Sequence, residues 1–310
     1  MQISGGVVLS GGVNLAPGSG GSSGGGYSFQ GSNYGYTSGG QPDTATIDKF
    51  PFASDDNATD VGDLTLARRN ASGQSSSVSG YTSGGETLNL IDKFPFASDD
   101  NATDVGDLTL ARRNASGQSS SVSGYTSGGQ ANDPTSRIDK FPFASDDNAT
   151  DVGDLPANRY GFAGHSSTSS GYTSAGAELN SVTTISKFPF ASDSNATDVG
   201  NVTQARRASP GGQSSTTHGY TTGGYTIDAV NTIDKFPFAS DGNSTDVGDL
   251  VVPLNEAAGQ SSTENGYTSS GNLYAPGGKA ISKFPFSSDS NATNVGDLSA
   301  NRWNCAGQQY

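Results

Sequence analysis

The tripeptide Phe-Pro-Phe begins at Phe50, Phe94, Phe141, Phe188, Phe236 and Phe284, at intervals of 44, 47, 47, 48 and 48 residues. Each copy follows an Ile-x-Lys and precedes a segment like ASDDNATDVGDL. A GYTSGG-like segment stands upstream of each, starting at Gly35, Gly80, Gly124, Gly171, Gly219 and Gly266. Ile47–Gly85 and Ile91–Gly129 are identical, the mark of a recent duplication. A period of this length means that each unit is one supersecondary element, burying its faces against neighbouring copies. Composition agrees. Only 31% of the 310 residues are AVILMFWYC, and the 44 glycines raise the apolar-plus-glycine share to about 45%, the lower edge of the globular range. Such a core is thin and divided among the units.

Inside a repeat, no apolar stripe at i, i+3, i+4, i+7 runs long enough for an ordinary helix. In the first copy the pattern predicts strands at Gly35–Ser38, Ile47–Phe52, Thr59–Leu64 and near Ser75–Ser79. Gly39-Gly40 and Ser54-Asp55-Asp56-Asn57 mark turns, where Gly, Asp and Asn supply positive φ or side-chain caps. Phe50 and Phe52 fall on one face of their strand and Ile47 on the other, so that strand is expected between two layers. Pro51 has no N–H for a ladder, which predicts that this strand carries a bulge or lies away from a fully paired centre. A four-stranded unit apolar on both faces is a propeller blade. The GQSS element reappears at the end as Gly307-Gln308-Gln309-Tyr310, so the two ends of the chain are expected to share a blade. The competing architecture is a β-solenoid of two coils of about 24 residues per repeat; closure favours the propeller.

Reading GYTSGG, then IDKFPF, then TDVGDLTLAR, the repeat resembles the Kelch repeat, and an RCC1-like alignment is nearly as good. In the Kelch family a strand ends in Gly-Gly, the next carries the blade's aromatics, and an Arg follows the outer strand. Arg68, Arg112, Arg159, Arg206 and Arg302 match that Arg; Val252 or Leu254 stands near the place in the fifth copy. The family's outer-strand Trp is absent, with Val61, Val105 and their equivalents in that region. The resemblance implies an all-β, six-bladed propeller over residues 27–310, preceded by a Gly-rich arm, residues 1–26. The KFPFASD and NATDVGDL segments also resemble repeats of structural proteins of marine and cyanobacterial phages.

Composition limits function. A formal charge of −14 makes the chain a poor holder of nucleic acid, and no basic patch interleaved with aromatics is visible. One cysteine, Cys305, excludes an internal disulfide framework and a cysteine-based zinc site. The two histidines, His165 and His218, stand in unlike repeats and read as local substitutions, whereas Kelch-type copper oxidases need a Tyr, His and Cys constellation. Asp is plentiful enough for a carboxylate pair, but most Asp obey the repeat, and catalytic residues should break it. No enzyme activity is expected. Asp55, Asp56, Asn57, Asp60 and Asp63 recur and raise calcium as a minor reading, but their spacing is not a D-x-[DN]-x-[DN]-G loop, so turns are expected and no cofactor. Ser240–Thr245 resembles the Asp-box turn of sialidase-type propellers, a structural turn in that family. The lysines before each Phe-Pro-Phe are expected to pair with neighbouring Asp.

Met1–Val13 has no basic region and an apolar run of only Val7, Val8 and Leu9, so neither an export signal nor a membrane span is expected. The Asn-Ala-Thr sequons then carry no message. In the arm, Ile3, Val7, Val8, Leu9 and Val13 form short β-prone runs between Gly-Gly pairs, suited to adding a strand to a partner's sheet. What varies between repeats is the loop after Gly-Gly and the segment after the Arg; Tyr160, Trp303, Tyr225 and Tyr274 are the candidate contact aromatics there. Together with the phage resemblance, these features point to a virion component, a decoration, tail or fibre protein that touches other virion proteins through its arm and a host surface glycan through its propeller. A cellular protein-interaction or glycan-binding propeller is the alternative.

Overall fold

The computed structural model describes residues 29–271 and 278–310; the expectations for Ile3, Val7, Val8, Leu9, Val13 and Tyr274 lie outside them. Among the described residues there is no helix, and six antiparallel four-stranded sheets form the blades of a propeller. The first repeat supplies strands Tyr34–Ser38, Thr46–Pro51, Thr59–Asp63 and Ser72–Ser75. The last of these lies earlier than its pattern predicts. Residues 76–78 form instead the hairpin turn, in which Ser76 Oγ accepts the Ser79 N–H at 2.9 Å.

Repeat and blade are out of phase by one strand. Ser72–Ser75 is the innermost strand of the second blade, with Gln74 opposite Tyr81. The first blade takes its innermost strand, Ala306–Gln309, from the other end of the chain, pairing Ala306 with Ser38 and Gln309 with Gly35. The shared blade read from the GQSS element is therefore present, and its closing strand covers the inner edge of Tyr34–Ser38.

The Phe-Pro-Phe strand has two buried faces, as its alternation requires. Ile47 packs with Tyr36, Leu64, Phe94 and Phe96 on one side, while Phe50 and Phe52 pack with Tyr267, Ile281 and Leu298 on the other. The tyrosine of each GYTS strand stacks on the second Phe of the next blade: Tyr36 on Phe96 at 4.9 Å, Tyr81 on Phe143 at 4.9 Å, and finally Tyr267 on Phe52 at 4.7 Å, closing the circle. Each such pair contributes about 1 kcal/mol beyond area burial. The glycine before the tyrosine makes room for the first Phe, because a Cβ at Gly35 would lie 2.3 Å from the Phe50 ring. The strand carries the bulge that its proline predicts, away from Pro51 itself. It falls between Ile47 and Asp48, opposite Gly62, whose φ is 154°. Pro51 merely ends its strand, opposite Tyr34, where the outer strand has stopped and no donor is needed.

Polar joints repeat between blades. Each lysine before Phe-Pro-Phe pairs with an aspartate of the following blade's turn, as in Lys93–Asp146 at 2.9 Å and Lys140–Asp193 at 2.9 Å, and Lys283–Asp55 completes the ring. The asparagine of each Asn-Ala-Thr accepts a backbone N–H from the preceding blade, Asn101 from Asp63 at 2.9 Å and Asn57 from Asp297 at 3.0 Å. The acidic segment is a turn here: Ser54 Oγ donates to Asp56 and Gly62 N–H to Asp60. Among the described residues no group of three or more His, Cys, Asp or Glu is placed to hold a metal ion.

A deeper joint is buried. Arg68, Arg112, Arg206 and Arg302 meet Asp92, Asp139, Asp234 and Asp48 of the following blade at 2.8 to 3.1 Å. The same carboxylates accept the backbone N–H and hydroxyl of Thr65, Thr109, Thr203 and Ser299. Two joints depart from this set. At the fifth joint Ser282 stands in the aspartate's place and Val251 in the threonine's, and the fully buried Leu254, not Val252, holds the arginine's place. At the third, Pro156 and Ser186 replace the threonine and aspartate around Arg159.

Candidate functional site

The innermost strands surround the axis so closely that backbone touches backbone. A Cβ on Gly73, Gly117, Gly164, Gly212, Gly259 or Gly307 would lie 2.0 to 2.4 Å from the carbonyl oxygen of the preceding glycine in that ring. What remains of the channel is a cavity of about 80 Å³ lined by these glycines, Phe162 and Cys305, with Phe29 at one end. Burial raises the Cys305 thiol pKa, so the group stays protonated and unreactive.

The two poles of the axis differ. At one, Gly31 N–H donates to Ser261 O at 2.8 Å, Gln30 Nε2 to Ser214 O at 2.8 Å, and Gln309 Nε2 to Phe29 O at 3.0 Å. The described chain thus begins on the axis. Serines of the inner strands form a partial ring there, each accepting a backbone N–H from the neighbouring blade, as Ser119 Oγ does from Ser75. Gln309 stands in the sixth serine's place, and its longer side chain reaches Phe29. A groove of about 500 Å³ at this pole is lined by Ser215, Thr216, Thr217 and Glu264, and Ser215 Oγ is occupied as a turn acceptor for Thr217 and His218.

The other pole is where the repeat breaks down. One residue per blade there takes the left-handed conformation: Asn70, Asn114, Gly161, Ala208 with Ser209, Glu256 and Asn304, at φ between 45° and 64°. These residues close a circle of backbone hydrogen bonds, Asn70 N–H to Asn304 O at 2.8 Å, Asn114 to Asn70 at 2.9 Å, Gly161 to Asn114 at 2.8 Å, Ser209 to Gly161 at 3.1 Å, Glu256 to Ala208 at 2.7 Å and Asn304 to Glu256 at 2.8 Å. Each of these positions is preceded by the residue that follows the buried arginine, or Leu254 in the fifth copy, in chain order Arg69, Arg113, Tyr160, Arg207, Asn255 and Trp303.

Three of those, Arg113, Tyr160 and Arg207, line a cavity of about 210 Å³ at this mouth, together with Asn70, Asn114, Glu256 and Asn304. Their backbones are fixed by paired bonds to the loops after Gly-Gly: Arg113 with Gln130 at 2.9 and 2.8 Å, Tyr160 with Ala177 at 3.0 and 2.9 Å, Arg207 with Tyr225 at 3.0 and 2.9 Å. The Arg207 guanidinium lies over the Tyr225 ring at 5.8 Å. The tips of two of these loops expose apolar side chains, Leu179 at 98% and Ile227 at 85%. Local rigidity, two cations and apolar tips make this the candidate binding face.

Of the candidate aromatics, Tyr160 lines the cavity and Tyr225 stands behind it under Arg207. Trp303 occupies the equivalent ring position but bridges to Gln41 and does not line the cavity. Arg113, Arg207 and the three asparagines are absent from the sequence reading, which took each Arg-Arg pair by its first member only. Their signal was the unlike residues at one fixed offset from a repeated arginine. The chain shows no basic patch along its length; the fold brings two arginines together from two separate repeats.

The remaining departures are structural. His165 replaces the glutamine that elsewhere reaches the next blade, as Gln74 Nε2 does to Tyr125 O at 3.0 Å. Its Nδ1 donates to Gln213 O at 3.1 Å and its Nε2 accepts from Ser174 at 2.8 Å, and complete burial pulls its pKa down to about 4, leaving the ring neutral. His218 is part-exposed on a different blade, against Thr217. No family model matches the chain, and comparison with curated proteins finds no similar sequence.

Proposed function

We propose that the chain is a non-enzymatic structural and adhesive component of a virion, a decoration, tail or fibre protein of a tailed phage. Its propeller would contact another virion protein or the host surface. The observation that carries this reading is the opposition of the two poles. The described chain begins at Phe29 on the axis of one pole, and the repeat-breaking residues Arg113, Tyr160 and Arg207 gather at the other. Residues 1–26, read as a docking strand, precede Phe29 in the chain, so an attachment at that pole would turn the variable mouth away from the attached body. The virion assignment itself rests on the resemblance of the KFPFASD and NATDVGDL repeats to phage proteins.

A cellular propeller module that binds a glycan or a protein is the second reading, and the mouth cavity favours it equally. Gradient-purified phage particles separate the two. Peptides of this chain in the particles, with disc-shaped density attached at the Phe29 pole by cryo-electron microscopy, are the expected result. Recovery of the chain only from the soluble fraction of cells would overturn the virion reading in favour of the module.

A further inference from the structure

We infer that the mouth cavity takes an acidic sugar, one uronate or sulfated residue of a polysaccharide. The inference deepens the adhesive reading above and rests on it for its biological setting, but not for its chemistry.

The argument begins from charge pairing. Thirty carboxylates face 16 basic side chains in this sequence. Among the described residues every Lys and Arg pairs with a carboxylate except Arg113, Arg159 and Arg207. Arg159 is buried and spends its guanidinium on Thr173, Thr184, Ala175 and Ser186. Arg113 and Arg207 are part-exposed and line the same cavity, one blade to either side of Tyr160. In so acidic a chain, two guanidiniums left without carboxylates around one hollow mark a place for an anion supplied from outside. The planar fork of Arg matches a carboxylate or sulfate through two parallel hydrogen bonds.

The rest of the lining narrows the ligand. Asn70, Asn114 and Asn304 carry amides that both donate and accept, and Glu256 carries a carboxylate that accepts only. The negative charge of Glu256 disfavours a ligand charged all over, such as a polyphosphate, and the three amides suit hydroxyl groups. An anion with several neighbouring hydroxyls is the chemistry of a sugar acid. Tyr160, between the arginines, offers an aromatic face for the C–H side of the ring. A cavity of about 210 Å³ is of the order of a single sugar ring and far below what a nucleic-acid strand needs. Because the three backbones are each held by two hydrogen bonds, little ordering is required on binding.

Calorimetric titration of the full chain tests this with four probes: trigalacturonate, a sulfated galactan trisaccharide, neutral maltotriose and inorganic sulfate. An acidic trisaccharide is expected to bind at least tenfold more tightly than maltotriose and sulfate. Arg113→Gln and Arg207→Gln are each expected to weaken it at least tenfold, with unchanged thermal unfolding as the folding control. Arg69→Gln, whose guanidinium already pairs with Asp43 and Glu86, should leave binding as it is. Preference between trigalacturonate and the galactan identifies which acid the site takes. Sulfate binding as tightly as the trisaccharides, equal binding of maltotriose, or no binding of any probe would overturn the inference. Failure here with the chain present on particles would leave the virion reading standing; binding here with the chain absent from particles would remove only the virion reading.

Discussion

Arg159 donates to the Ser186 hydroxyl at 2.8 Å, at a joint whose four sister arginines each meet an aspartate. Burial lowers the Arg159 pKa to about 10, with only more distant carboxylates opposing the shift. The Phe162 ring, 5.3 Å from the guanidinium, and carbonyl acceptors replace part of what the missing carboxylate would supply. The same repeat departs at Pro156, Tyr160, Gly161, Phe162 and His165, a single run of chain that passes from this joint through the mouth ring to the inner strand.

Ser186→Asp should therefore stabilise the protein, by about 1 to 2 kcal/mol, because it gives a buried cation its counter-ion. The gain is limited because Pro156 cannot donate the N–H that Thr65 and Thr109 offer the sister aspartates. The same change at the equivalent Ser282 should destabilise by about 3 kcal/mol, since Leu254 stands in the arginine's place and a carboxylate there is buried unpaired. Urea unfolding of both variants checks this. Shifts of the same sign would mean that charge matching does not set these joints.

At the axis, Gly117→Ala would press a methyl group to 2.0 Å from the Gly73 carbonyl oxygen, backbone against backbone in a closed ring that cannot widen at one point. A loss of about 3 kcal/mol is expected. Gly242→Ala, in a turn with nothing within 4 Å of the new methyl, should stay within about 0.5 kcal/mol of the parent. Thermal unfolding of the pair reads the difference, and equal midpoints would show that the inner strands are less tightly packed than described.

His165 sets an acid limit. Its folded pKa of about 4 lies below the ordinary 6.5, so the unfolded chain takes up a proton that the folded one refuses. Stability is then full above pH 6.5 and falls as pH drops toward 4, by on the order of 3 kcal/mol from this group. His165→Gln, which restores the residue found in the other blades, should remove that part of the decline while leaving the carboxylates' share. Urea midpoints of both proteins at pH 7 and pH 4.5 give the comparison. Parallel losses would deny His165 the role.

Repetition along the chain was enough to read the fold. Six Phe-Pro-Phe strands with Ile47 on one face and Phe50 and Phe52 on the other demand a neighbour on each side, and a GQSS without its own repeat at the end supplies the closing strand. These are local features, period two along a strand and one period along the chain, and packing can satisfy them in only a few ways. The placement of the fourth strand at Ser72–Ser75 was less legible, because Ser, Gly and Gln carry no hydrophobic alternation; backbone contact at the axis selects them instead. The mouth cavity was legible only in retrospect. Arg113, Tyr160 and Arg207 are separated by 47 residues at each step, and each looks like an ordinary deviation in its own copy. They become one surface because closing the ring brings the same offset of every repeat to the same pole, where a difference between copies becomes a difference between neighbours.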